Sequence, residues 1–131
     1  MKEKLLTREQ FKTLVFKRDK GVCAFCSKKS EDAHHILDRK LWKDGGYYLS
    51  NGASVCHEHH WLCEKTDISV EEVRMACKIS DFIVPEGFEK NQIYDKWGNP
   101  INKDGSRIPG VMFWEENVLK ILESKLHLFG L

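Results

Sequence analysis

The sequence predicts a small α+β protein, and three observations carry that prediction. Two Cys/His pairs with two-residue gaps, Cys23-Ala24-Phe25-Cys26 and Cys56-His57-Glu58-His59, offer four metal-ligating side chains. Between them, the run from Ala33 to Leu37 and the segment from Ala53 to Val55, with Asn51-Gly52 as a bend, read as the strands of a hairpin. Thr7 with Gln10, and Ser69 with Glu72, have the spacing of helix capping boxes ahead of apolar residues at helical intervals. A chain of 131 residues buries only a modest core, so a metal staple suits it.

The elements follow in order. Phe11, Leu14 and Val15 predict a helix from about Arg8 to Lys17, ended by Asp19-Lys20-Gly21, which places Cys23 and Cys26 in a turn just beyond it. Ala33–Leu37 is the first strand, and alternation sends His34 and His35 to opposite faces. Asp44-Gly45-Gly46 is a loop, and Tyr47–Leu49 followed by Ala53–Val55 is the expected return strand. Helix resumes near His57 and runs to about Glu64 or Lys65. Another spans Val70 to about Cys77, with Val73, Ala76 and Cys77 on one face. The segment Tyr94–Pro100 reads as an ordered turn anchored by its aromatics, and a last helix is expected from about Glu115 to His127. Residues 1–66 thus form a core and 67–131 a loop-rich helical extension packed on it.

Composition narrows the class. With 41% hydrophobic and 31% charged residues the chain is globular, and no apolar run is long enough to span a membrane. The charged start, Lys2-Glu3-Lys4, does not resemble an export signal, so the reducing cytoplasm is the expected compartment. There, five cysteines at short paired spacing point to metal rather than disulfides. The net charge of +1 conceals an asymmetry: residues 1–44 carry 12 Lys and Arg against 7 Asp and Glu, and the remainder 9 against 13. A basic N-terminal part is the footprint of a phosphate-contacting surface, or else a solvated lysine-rich face.

Zinc takes four ligands in a tetrahedron, and Cys23, Cys26, Cys56 and His59 supply a Cys3His set. Cys63, one helical turn beyond His59, is the rival fourth ligand; His57 and His60 project elsewhere. That assignment leaves His34, His35 and His60 unused.

The order Cys-x-x-Cys, then His34-His35-Ile36, then Asn51-Gly-Ala-Ser-Val-Cys-x-x-His-His resembles the HNH endonucleases of the ββα-metal class, from Phe16 to about Lys65. The resemblance implies a zinc-stapled ββα-metal nuclease core with flanking helices. It implies that His35 is the general base, that Asn51 braces the loop orienting it, and that His60 and His34 ligate a catalytic divalent ion. His-His at the start of the motif, where Asp-His is commoner, has precedent in the colicin-type nucleases of the family. Glu64, four residues after His60 on the same helix face, is a third ligand candidate, with an ordinary surface glutamate as the alternative. Two imidazoles favour Mn2+, Ni2+, Co2+ or Zn2+ over Mg2+.

The implied chemistry is metal-dependent hydrolysis of a phosphodiester in nucleic acid, DNA ahead of RNA. Arg39 and Lys40 are candidates to clamp the phosphate backbone, and Lys17, Arg18, Lys28 and Lys29 would extend that surface. Trp42, Tyr47 and Tyr48 either stack on bases or pack the core. An RNA endonuclease of the same chemistry and a non-catalytic zinc-stapled nucleic-acid-binding or adaptor module are the competing readings.

Overall fold

The computed structural model describes residues 3–131; Met1 and Lys2, the first residues of the charged start, lie outside them. Helix α1, Arg8–Arg18, opens on a complete capping box, with the Thr7 hydroxyl accepting from Gln10 N–H and the Gln10 side chain accepting from Thr7 N–H. It buries Phe11 and Val15. Lys20 and Gly21, both at positive φ, turn the chain out of the helix into the first Cys pair, whose loop is closed by a bridge between Val22 and Lys29.

Strand β1, Asp32–His35, pairs antiparallel with β2, Gly52–Val55, with His34 opposite Ala53 and His35 opposite Gly52. Helix α1 lies on this two-stranded sheet, and Gly52 permits the approach. A Cβ there would stand 2.4 Å from Val15 Cγ2 and 2.7 Å from Phe11 Cζ. The end of α1 is tied down as well: Arg18 donates to the carbonyls of Leu49 and Gly52, and Asp19 accepts from Ser54 N–H.

Helix α2, His57–Glu64, follows β2 directly, and α3, Val70–Ala76, opens on the second capping box, Ser69 with Glu72. The main core joins the sheet to these helices through Ile36, Leu37, Trp42, Ala53, Cys63, Val70, Val73 and Cys77. A smaller core of Trp97, Met112, Val118 and Leu122 gathers the C-terminal part, and Leu41 packs against both. Asp95, almost fully buried, organises the Tyr94–Pro100 turn by accepting from Trp97 N–H, both nitrogens of Asn99, and Arg107. Among the described residues no helix is long and apolar enough to cross a membrane.

Two expectations are corrected. Tyr47–Leu49 is not strand: β2 starts only at Gly52, because Leu49–Asn51 winds into a 3₁₀ turn that keeps Asn51 facing inward. The final helix is shorter, with α4 spanning Glu116–Ile121 and a 3₁₀ stretch running from Glu123 to Phe129. The tighter winding seats Phe129 on Phe113, ring centroids 4.3 Å apart, and lets the Leu128 carbonyl accept from Arg107 N–H.

Candidate metal centres and cleft

Two groups of ligand side chains flank the start of α2. In the first, one ligand atom from each of Cys23, Cys26, Cys56 and His59 lies within 4.8 Å of all the others. The knuckle after α1 brings Cys23 and Cys26, while Cys56 caps α2 and His59 sits one turn into it. Cys26 Sγ and Cys56 Sγ are 3.8 Å apart and Cys56 Sγ is 3.1 Å from His59 Nδ1. A tetrahedron of sulfurs about 2.3 Å from zinc has edges of about 3.8 Å, so the sulfur spacing fits.

Two of the three thiols are shifted toward the thiolate; at Cys26 the Lys28 backbone favours ionisation, but burial and the neighbouring Cys23 and Cys56 outweigh it and raise the pKa. Burial opposes ionisation of Cys23, but backbone hydrogen bonds from Cys56 and Phe25 outweigh it and lower its pKa. At Cys56 burial is likewise outweighed, here by the His59 backbone and side chain. Phe25 stacks on the His59 ring at 5.6 Å and shields it. This Cys3His cluster can hold a structural metal such as zinc. Cys63, the rival ligand, is buried in the main core beside Val70 and Val73, and burial pushes its thiol up to about 12. His57 is exposed.

The second group is His34, His60 and Glu64, again with ligand atoms mutually within 4.8 Å. His34, from β1, is fully enclosed and meets His60 edge to face at 5.1 Å. Its Nδ1 is buried without any hydrogen-bond partner, a costly state for a ring nitrogen. Burial, then repulsion from Lys96, His60 and His35, keeps the His34 pKa well below the usual value, so the ring is neutral as a ligand must be. Burial works against protonation of His60 too, but Glu64 and Asp32 overcome it and raise its pKa. His60 Nδ1 is 3.1 Å from Asp32 Oδ2, and Nε2 is 3.4 Å from Glu64 Oε1. A carboxylate behind one imidazole nitrogen is the usual way to orient the other toward a metal. The donor set of two imidazoles and a carboxylate, with one orphaned nitrogen, fits a divalent ion.

His35 lies on the other face of β1. Its ring stacks on Phe11 at 4.7 Å and meets Tyr47 edge to face at 4.9 Å. Burial, followed by repulsion from Lys96, lowers its pKa to about 4, so it is neutral at ordinary pH, and its Nε2 has no hydrogen-bond partner. Asn51 faces the same region from the 3₁₀ turn. Its Oδ1 accepts from Leu37 N–H at 3.0 Å, while its Nδ2 donates to the carbonyls of Leu37 at 3.0 Å and Gly46 at 3.2 Å. One buried amide thus clips the segment just after β1 to the loop at Gly46.

His35 and His60 share a cleft of about 820 Å³ whose wall includes Arg8, Lys12, Arg39 and Tyr47. Of the cations singled out by sequence, only Arg39 lines it. Lys40 is ion-paired with Glu115 at 3.2 Å, and Arg18 is spent on Asp19 and two backbone carbonyls. Lys17 and Lys29 are exposed outside the lining, and Lys28 pairs with Glu58. Arg8 and Lys12, not singled out by sequence, reach the cleft because they are four apart on one face of α1; that i, i+4 spacing was the available signal. Trp42 belongs to the core with Tyr48 tilted against it, while Tyr47 borders the cleft.

Lys96 was also missed. It is 5% exposed, with Nζ 2.8 Å from Asp38 Oδ1 and 3.1 Å from Glu64 Oε2. No family model, curated protein or solved structure matches this chain.

Proposed function

We propose that this chain is a divalent-metal-dependent endonuclease that hydrolyses phosphodiester bonds in nucleic acid, DNA ahead of RNA, on a core held by zinc at Cys23, Cys26, Cys56 and His59. One juxtaposition carries the reading: His60, which groups with His34 and Glu64, shares a cleft with a neutral imidazole, His35, and with Arg8, Lys12 and Arg39 in the wall. A purely structural zinc knuckle has no use for such a second group. The ranking of DNA over RNA rests on the resemblance to HNH enzymes, since a phosphodiester presents the same bridging chemistry in both.

In this reading His34, His60 and Glu64 hold the ion, and Asp32 fixes the His60 tautomer from behind. When bound, the ion supplies positive charge that offsets the charge developing on the phosphoryl oxygens and the leaving 3′-oxygen. His35 takes a proton from the attacking water. The water oxygen bonds to phosphorus as the P–O3′ bond breaks, and the leaving 3′-oxygen takes a proton from solvent, giving a 5′-phosphate and a 3′-hydroxyl. Asn51 keeps the loop behind His35 in place, and Arg8, Lys12 and Arg39 neutralise flanking phosphates.

The test offers purified protein supercoiled plasmid, single-stranded DNA and RNA with Mn2+, Ni2+, Co2+, Zn2+ or Mg2+. Nicking by wild type and none by His35→Ala, at unchanged zinc content, supports the assignment; equal nicking by the variant removes His35 as the base. Faster cleavage in Mg2+ than in Mn2+ or Ni2+ contradicts a centre built on two imidazoles.

A further inference from the structure

Lys96 comes from the C-terminal half, yet it is embedded against the second ligand group. Its backbone carbonyl accepts from Asp38 N–H at 3.0 Å, its ammonium pairs with Asp38 at 2.8 Å, and the same nitrogen lies over the Trp97 ring at 4.1 Å. The adjacent Trp97 donates from Nε1 to the backbone carbonyl of Glu64 at 2.8 Å. The Tyr94–Pro100 turn therefore grips Glu64 twice, once by its main chain and once by its carboxylate.

The two carboxylate oxygens of Glu64 are differentiated by this grip. Oε1 faces His60 Nε2 at 3.4 Å, whereas Oε2, buried and without a hydrogen-bond donor of its own, is held by charge alone against Lys96 Nζ at 3.1 Å. An ammonium held by Asp38 and the Trp97 face does not swing away.

We propose that Lys96 is a positioning residue that ties up one oxygen of Glu64, so that a divalent ion held with His34 and His60 receives only the other. The inference rests on the metal-centre reading above and adds a role for the C-terminal half. Catalytic metal sites keep coordination positions open for substrate, and a carboxylate free to bind through both oxygens closes one of them. Lys96 also places a positive charge near the incoming cation, so wild type gives up affinity in return for an open site. Its removal does not set Glu64 adrift, because helix α2 and the Trp97 hydrogen bond still fix the main chain.

The experiment is calorimetric titration of Mn2+ into protein whose Cys3His site is already filled with zinc, for wild type, Lys96→Met, Glu64→Ala and the double variant, with urea unfolding as the fold control. Lys96→Met is expected to bind Mn2+ about tenfold more tightly while nicking plasmid more slowly. The tightening should vanish when Glu64 is already alanine, because Lys96 acts through that side chain. Unchanged or weaker binding by a folded Lys96→Met overturns the proposal, as does equal tightening without Glu64, which would be charge alone. If Lys96→Met fails the fold control, Lys96→Gln, which keeps an N–H donor for Asp38, is judged by the same criterion. Wild type that binds Mn2+ but nicks nothing overturns the nuclease reading and leaves Lys96 to be judged by binding; wild type that binds no Mn2+ overturns both.

Discussion

Replacing Asn51 by alanine is expected to destabilise the protein by about 3 kcal/mol and to loosen the segment behind His35. The side chain is 2% exposed and makes three hydrogen bonds to backbone: from Leu37 N–H, to Leu37 C=O and to Gly46 C=O. The alanine is too short to replace them. An unsatisfied buried group costs roughly 1–3 kcal/mol, and three such losses on one side chain are not fully additive because the loop can relax toward water. The central figure is therefore about 3 kcal/mol, within a range of about 2–5. In a chain of this size that lowers the melting temperature by roughly 10–15 °C. Urea unfolding of zinc-loaded protein reads the stability, and hydrogen exchange reads the Leu37 amide, which loses its acceptor and should exchange faster than the protected amides of the sheet. A loss below about 1 kcal/mol with Leu37 still protected would mean that Asn51 does not brace this region, and the argument for its role would fall.

Chelating the Cys3His cluster should melt the knuckle and expose Cys23, Cys26 and Cys56 to iodoacetamide. Cys63 and Cys77, both pushed up to about 12 by burial, should alkylate only on global unfolding; mass spectrometry of the modified thiols checks the order. Gly52→Ala should cost about 1–3 kcal/mol in urea unfolding, because its Cβ would collide with Val15 and Phe11, and a neutral result would show that α1 sits farther from β2. His35 has a folded pKa of about 4 against about 6.5 when unfolded, so the unfolded chain binds the extra proton and stability is full above pH 6.5 and falls toward pH 4. His35→Gln should remove up to about 3 kcal/mol of that acid sensitivity, measured without added divalent ion; parallel pH profiles for the two proteins would refute it.

The legible parts of this chain were those set by local chemistry. Both capping boxes form, because Thr7–Gln10 and Ser69–Glu72 satisfy orphan N–H groups within a single turn. The Cys3His cluster was legible for a similar reason, since a two-residue gap converges two ligands whatever surrounds them. The convergence of His34, His60 and Glu64 depends on the register that places His34 opposite Ala53 and on the packing of α2 against β1; the resemblance to a known motif suggested the two histidines, and the i, i+4 spacing from His60 suggested Glu64. What stayed hidden depends on contacts distant in sequence. Lys96 is one lysine among many until the Asp95 network folds its turn back onto Glu64. Arg18 looked like a surface cation but is consumed by carbonyls more than thirty residues away. The end of the last helix went astray because Phe129 is drawn to Phe113, a tertiary contact that overrides helical continuity.

The two ligand groups are mechanically one device. His59 and His60 are neighbours on α2 and project about 100° apart, so the same turn of helix that presents His59 to the three thiols presents His60 to His34 and Glu64. Cys56 caps that helix, which means that a metal in the first group anchors the N-terminus from which the second group is displayed. From the opposite end, Trp97 and Lys96 hold Glu64. Helix α2 is short, only eight residues, and short helices gain little stability from their own hydrogen bonds. It needs to be fastened at both ends to hold two ligands four residues apart, and the knuckle and the C-terminal turn are the two fasteners. Loss of either should disturb the second group, and it reaches the main core as well, because Cys63 of α2 packs there with Ile36, Leu37 and Val73.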